Sequence, residues 1–382
     1  MLFTLCLKYS IINEKRFVFK HRYVRLFLLT ILASEFLIKG IKMKKLFCIL
    51  FVCILSVCCV FNFSACTESE EYTQGLLFTL SSNQEYYVVS GLGSATDTDV
   101  IVPSKYKGKP VTTIGGDAFN GTDIKSITLK EGLKEIRAKA FMNCLSLESV
   151  VIPSTVTNIG TQAFFKTESL KTIYYNAQNC TDLTVHNGTF YNSGENSTGL
   201  AITIGKDVKR VPNYLFVPEN NSGDDGTSPN VKSLVFEDGC VLEEIGERSF
   251  SNFFNVQELT IPLTVKKIGG YAFINWRNLT TLKFEKGSQL ETICRTAFYN
   301  CINISELVFP SGLKTIEQDV FYCSTPGAIT KIVIPSSVEF VGSVAFHNHI
   351  NATFYLESES VPTAWNERWN NLNRPVYLGV DI

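Results

Sequence analysis

Histidine is scarce in this 382-residue chain, with four residues, and methionine and tryptophan number three each. So few imidazoles leave little material for general acid–base chemistry or a zinc centre. No glycine-rich phosphate cradle and no Gly-x-Ser-x-Gly turn occurs, which removes the common nucleotide-binding and serine-hydrolase signatures. Excess basic charge is also missing. Residues 1–65 hold 10 of the 35 Lys and Arg and 2 of the 36 Asp and Glu, leaving 25 against 34, a net of −9, from residue 66 onward. A body that acidic lacks the footprint that phosphate backbones require, so nucleic acid is not a partner. Glycine (25) and proline (12) together make up about a tenth of the chain, which excludes collagen-like and low-complexity classes. What the chain has is 45% hydrophobic residues and 28 Phe, enough for a large packed core.

The first 65 residues read as an address. Met43-Lys44-Lys45 opens an uncharged apolar run from Leu46 to Phe61, followed by Phe63-Ser64-Ala65-Cys66 and then the polar Thr67-Glu68-Ser69-Glu70-Glu71. A basic start, a short apolar stretch and small residues describe a secretory signal peptide over 43–65. Ser64-Ala65-Cys66 resembles the lipobox of bacterial lipoproteins, although Phe63 stands where Leu is usual. That resemblance implies cleavage before Cys66 and acylation of its sulfur, so that the body is held at a membrane by lipid. The alternative is an uncleaved anchor, since 46–65 is long enough to span a bilayer. Residues 1–42 read as a start codon placed too early or as a cytoplasmic tail. The acidic run after Cys66 is compatible with export to the surface of a diderm envelope, and localisation is expected at the cell surface or outer membrane.

The body is one unit copied. Val111 to Phe119 (Val-Thr-Thr-Ile-Gly-Gly-Asp-Ala-Phe), Val156 to Phe164 and Val265 to Phe273 share a frame, and Leu290 to Phe298 and Val338 to Phe346 repeat it. The anchor Phe recurs at 119, 141, 164, 190, 216, 250, 273, 298, 321 and 346. The widest gap, before Phe250, contains the Asn-, Gly-, Asp- and Ser-rich stretch 218–229, a surface loop. After each Phe comes a polar turn and a strand signal, as in Leu147-Glu-Ser-Val150-Val-Ile152-Pro153 and Ile304-Ser-Glu-Leu307-Val-Phe309-Pro310. Alternation with period two makes this a short strand, and Pro ends it. A unit of about 23 residues cannot bury its own apolar side, but stacked units bury a continuous core.

The pattern Ile-Gly-x-x-Ala-Phe followed by Leu-x-x-Val-x-Ile-Pro resembles the BspA-like leucine-rich repeat surface proteins. The resemblance covers 111–356. The fold expected is a strand-dominated α/β leucine-rich-repeat solenoid of about ten coils with short helical turns. It would be closed by a β cap over 75–110 and a Trp-rich cap over 357–382, with 66–74 a linker. In the last cap Trp365 and Trp369 are four apart, on one side of a helical turn. Covering the last coil is one job for them; an exposed sugar platform is the other.

Chemistry-bearing residues are few. His347-Asn348-His349 falls in a repeat turn with no further ligand in sight, and His186 stands alone, so no metal site and no cofactor is expected. Six cysteines follow Cys66, at 144, 180, 240, 294, 301 and 323. Cys144 and Cys301 share the slot three after the anchor Phe, Cys323 is one residue off it, and Cys294 replaces the Gly of Ile-Gly. They read as small buried hydrophobes, with a Cys301–Cys323 bridge the alternative and no His in register to activate any of them.

The informative surface is the outward row of the strands, expected on the concave face. Its residues run Thr128, Val151, Tyr174, Thr203, Val235, Thr260, Lys283, Val308, Val333 and Tyr355, with Glu306 and Lys331 beside the last rungs. Val308, Val333 and Tyr355 are expected to form an exposed apolar strip. Strand propensity alone also favours Val and Thr here. Val151, Tyr174, Val235, Lys283, Glu306, Val308, Lys331, Val333 and Tyr355 are the candidate binding residues. The resemblance implies a monomeric, lipid-anchored adhesin-like protein that binds a host protein or glycan. A structural or assembly role in the bacterial envelope is the alternative. A polysaccharide-acting enzyme would need clustered acids and bases on one row, and the row above has one Lys and no acid.

Overall fold

A computed structural model describes residues 71–184, 187–217 and 229–381. The signal segment 43–65, Cys66, the stretch before it, His186 and the loop 218–228 lie outside the described residues. From residue 71 the chain is a right-through stack of coils. One row holds the longer strands, all parallel. Asp99–Ile101, Ser126–Thr128, Ser149–Ile152, Thr172–Tyr175, Leu200–Ile204 and Val231–Phe236 bond into one sheet. Glu258–Ile261 pairs Thr281–Phe284, and Glu306–Val308, Lys331–Ile334, Thr353–Leu356 and Val376–Tyr377 form a third group. That is twelve rungs against the ten expected. The two additions come from the caps, where Asp99–Ile101 pairs in parallel with Ser126–Thr128 and Val376–Tyr377 with Thr353–Leu356.

A second row of two-residue strands runs beside the first, including Glu244–Ile245, Lys267–Ile268, Thr292–Ile293, Thr315–Ile316 and Phe340–Val341. Each carries one buried apolar residue, such as Ile245, Ile268 and Ile293. At the N-terminal end, Leu77–Leu80 and Tyr87–Gly91 form an antiparallel hairpin that joins this row through Lys109–Ile114.

The helical turns expected around Ala-Phe are absent: no helix occurs among the described residues. The physical reason is left-handed backbone at one fixed place in every coil and at a second place in most of them. The residue two before the anchor Phe has φ between 48° and 60°, whether it is Asp117, Lys139, Gln162, Tyr271, Thr296 or Val344. The residue two after it is also left-handed in most coils, Cys323 being an exception, and there Asn dominates: Asn143, Asn192, Asn252, Asn275, Asn300 and Asn348. A left-handed residue stops a right-handed helix at once and costs about 1–2 kcal/mol without Gly. Asn tolerates it best. Backbone bonds between coils offset the cost: the anchor amide donates to the next coil, Phe119 to the Ala140 carbonyl at 2.8 Å and Phe321 to the Ala345 carbonyl at 2.7 Å.

The ten anchor Phe side chains are fully buried and stack in one file along the axis. Ring centroids of successive anchors are 4.8–5.9 Å apart, as for Phe119–Phe141 (5.3 Å), Phe190–Phe216 (4.8 Å) and Phe321–Phe346 (5.9 Å). Most of these distances lie close to the strand spacing of about 4.8 Å, so one Phe per coil keeps the rings in contact along the stack.

Candidate binding face

Outward positions of the longer strands come from the period-two rule, and register fixes which of them are neighbours. Val151, Tyr174, Thr203 and Val235 are consecutive rungs of the six-stranded sheet. Val151 and Val235 are about half exposed, and Tyr174 is half-buried. Lys283 is exposed on the separate pair Glu258–Ile261 and Thr281–Phe284. Val308, Val333, Tyr355 and Tyr377 are in register on the last group of strands, with Glu306 opposite Lys331. The candidates therefore fall into two clusters at the two ends of the row, with Lys283 between them.

The expected apolar strip needs a correction. Val308 is 52% exposed, but Val333 is only 3% exposed. The Tyr355 ring explains this. Tyr377 stacks on it at 5.4 Å, and the Lys331 ammonium sits over it at 5.9 Å. Lys331 and Val333 belong to the same strand and Val333 is in register with Tyr355, so the ring and the Lys331 stem stand beside Val333. Tyr377, 55% exposed, is the rung that sequence reasoning missed. Its signal was there, since Val376-Tyr377 repeats the apolar–outward pattern inside the cap.

Tyr174 does not stand off the sheet. Its hydroxyl donates to Glu237 Oε2 at 2.6 Å, two coils along, so the ring leans across the Leu200–Ile204 strand. Burial, with that bond to Glu237, pushes the Tyr174 hydroxyl up to about 12. Glu237 also accepts from the Lys206 amide at 2.9 Å, and Asn176 and Asp207 bond each other twice beside it.

Elsewhere the polar groups serve the stack. Trp365 and Trp369 are buried, edge to face at 5.0 Å, and Trp369 packs on Phe354. They cover the last coil and leave no face for a sugar. All six cysteines after Cys66 are free thiols, so the Cys301–Cys323 bridge is not formed. Several occupants of the slot after the anchor share one task, donating to the anchor carbonyl of the previous coil. Cys144 Sγ reaches the Phe119 carbonyl at 3.0 Å, Trp276 Nε1 that of Phe250 at 2.7 Å and Cys301 Sγ that of Phe273 at 3.3 Å. In the cap, Arg374 Nη1 reaches the Phe346 carbonyl at 2.6 Å. One His does stand beside a cysteine, without activating it: His349 Nε2 is 3.4 Å from Cys323 Sγ and 2.9 Å from the Phe321 carbonyl. Burial pushes the thiol up to about 12 and the imidazole down to about 4, so both are neutral and neither is a nucleophile. Among the described residues no three His, Cys, Asp or Glu are placed to hold a metal ion.

Comparison with known proteins adds the following. A family profile described as BspA type leucine rich repeat region matches residues 101–222 and 227–353, in six copies. No curated protein matches the chain. Among solved structures, a leucine-rich repeat protein from Bacteroides ovatus is 17% identical, covering 75% of this chain and 94% of its own, with a TM-score of 0.28. A leucine rich cell surface protein from Faecalibacterium prausnitzii is 17% identical over 82% of this chain and 98% of its own, with a TM-score of 0.26. The pneumococcal vaccine antigen PcpA is 16% identical over 81% and 85%, with a TM-score of 0.32.

Proposed function

Since this chain belongs to the BspA-type leucine-rich repeat family, we propose that it is an exported, lipid-anchored binding protein of the bacterial surface. Cys66 is the lipid-bearing residue in this reading and the outward strand face is the contact surface for a host or envelope protein or glycan. The observation that carries it is a run of five strands whose alternating outward positions hold no charge, bounded by the exposed Asp99 on the strand before and Lys232 at the bulge of the last strand. The outward positions of five consecutive strands are Ser126, Thr128, Ser149, Val151, Thr172, Tyr174, Ala201, Thr203, Ser233 and Val235. Solvated faces are ordinarily rich in Lys, Glu and Asp, so a run of this length without them, set with the half-exposed Val151 and Val235, supports a contact surface. The slots that would hold acids and bases in an enzyme are occupied by Ser, Thr and Val, which supports a binding scaffold.

The test has two arms. Cells expressing the full chain are labelled with a clickable palmitate, expecting label on the wild type and none on Cys66→Ala; equal label on both sinks the anchor. Purified full chain is then applied to host epithelial cells and to isolated bacterial wall. Saturable binding to host cells supports the adhesin-like role, and binding to wall alone moves the protein to envelope assembly. Binding to neither defeats the reading.

A further inference from the structure

Resting on the binding role just proposed, we infer that the Tyr174 patch takes a neutral glycan, with the Tyr174 ring as its stacking surface. Three observations converge there. First, the ring is held down. Its hydroxyl is tied to Glu237 at 2.6 Å, and the hollow that admits it exists because residue 205 is Gly. A Cβ at Gly205 would lie 2.8 Å from the Tyr174 hydroxyl and 2.3 Å from Asn176 Oδ1. An aromatic fixed along a flat surface offers area at little entropic cost.

Second, the surroundings match a pyranose. A sugar ring has an apolar C–H face and a rim of hydroxyls. Val151 adjoins Tyr174 in the same row and Val235 follows one rung beyond Thr203, while Ser149, Thr172 and Ser233 line the adjacent outward column. Where the ring ends, Asn176, Asp207 and Glu237 cluster. Asp207 and Glu237 are half-buried and a carboxylate takes several hydrogen bonds, so these two can meet sugar hydroxyls while keeping their internal bonds, with the buried Asn176 holding Asp207 in place. Apart from Lys232 at the bulge, the outward strand positions around Tyr174 carry no cation, and the nearest carboxylates repel an acidic sugar, which favours a neutral ligand over a sulfated or uronic one.

Third, the geometry removes the main alternative. An extended peptide recognised by strand addition needs a free edge. The Thr172–Tyr175 strand is paired on both sides. Only side chains can read a ligand here. The other cluster fits less well, because Tyr355 is already enclosed by Tyr377 and Lys331.

The experiment uses the full chain in a detergent without sugar, titrated calorimetrically with cellohexaose, chitohexaose, laminarihexaose and mannohexaose, and with a heparin hexasaccharide. At least one neutral probe should bind, with an affinity unchanged between low and high salt. Tyr174→Ala should weaken it by about tenfold. Thr172→Glu, an exposed change that leaves the core untouched, should weaken it too, which guards against a Tyr174 variant that fails to fold. Tyr174→Phe keeps the ring but frees it, and should fall between wild type and Tyr174→Ala. Heparin-only binding, no binding to any probe, or full affinity in folded Tyr174→Ala and Thr172→Glu overturns the glycan assignment. Host-cell binding that survives periodate oxidation of the cells also overturns it while leaving the surface-binding role standing. Loss of both cell and probe binding takes down both.

Discussion

His349 Nε2 lies 3.4 Å from Cys323 Sγ, across adjacent coils, with neither side chain reaching solvent. This is a neutral pair that caps the Phe321 carbonyl, in the region where the buried Arg374 guanidinium reaches the carbonyls of Phe346 and His349.

The pair gives the C-terminal coils an acid sensitivity. Burial first, with Arg374 adding to it, holds His349 at about 4 against an ordinary 6.5, so the unfolded chain binds the extra proton between those values. The stability from keeping it neutral is complete above pH 6.5 and is lost as pH falls towards 4, about 3 kcal/mol in all. Thermal unfolding followed from pH 7.5 to 4.5 should show the wild type losing stability faster than His349→Gln. Parallel curves would refute the assignment.

Phe164 sits between Phe141 and Phe190 in the buried file, at 5.0 and 4.9 Å. Phe164→Ala leaves a cavity that rigid neighbouring coils cannot close, and should cost about 3–5 kcal/mol. The adjacent half-exposed Phe165, stacked only on Tyr191, should cost clearly less when changed to Ala. Urea denaturation of the two variants decides it, and equal losses would contradict the central role of the file.

Thiol labelling should rank the six cysteines after Cys66. Cys294 alone is partly exposed, and the other five are buried. Burial pushes the Cys294 thiol up to about 11 and holds Cys301 well above its ordinary value. Under native conditions at pH 8, peptide mapping after iodoacetamide treatment should find Cys294 modified first and the others only after denaturant is added. Early modification of Cys301 or Cys144 would mean the coils open there.

Charges alternate in sign along the column before the short strands: Lys209, Glu243, Lys266, Glu291, Lys314 and Glu339, each bonded through the backbone to the next. Lys266 pairs Glu243 at 2.9 Å and Lys314 pairs Glu291 at 3.3 Å, all about half exposed. Lys266→Glu would line three acids up on neighbouring coils. The expected loss is small, about 0.5–1 kcal/mol, because solvent screens exposed pairs. It should shrink further in 0.5 M NaCl. A loss that salt leaves unchanged would point to packing of the Lys266 stem instead.

The repeat was legible because its marker is large and periodic. All ten anchor Phe positions read from spacing are buried in one file. The turn conformation was not legible. Asp117, Tyr271 and Val344 share a left-handed φ because closing the coil requires it at that place, and no residue type announces it. On the face, parity told which side chains point outward but not how far each is covered. Val333 is buried beside Tyr355, its register partner on the next coil, and Tyr174 is bent by a carboxylate 63 residues away. Such contacts depend on side-chain reach across coils, which a linear frame does not carry. Cys323 was read as off-register by one residue, and that same offset is what places it against His349.

The bonds between coils run along the stack, and this sets how the molecule meets tension. Pull between the N-terminal end and a ligand held further along loads the intervening ladders end to end. The longer-strand row is interrupted as a bonded sheet after Val231–Phe236 and again after Thr281–Phe284, while the short row runs on past both points. Those two seams therefore carry force through the short strands, the stacked Phe rings and the backbone bonds at the anchor turns, such as Phe216 to the Ser249 carbonyl and Phe273 to the Ala297 carbonyl. A coil of about 23 residues peeled there would add up to roughly 80 Å of slack. The solenoid is in that sense a serial shock absorber, whose give is metered one repeat at a time.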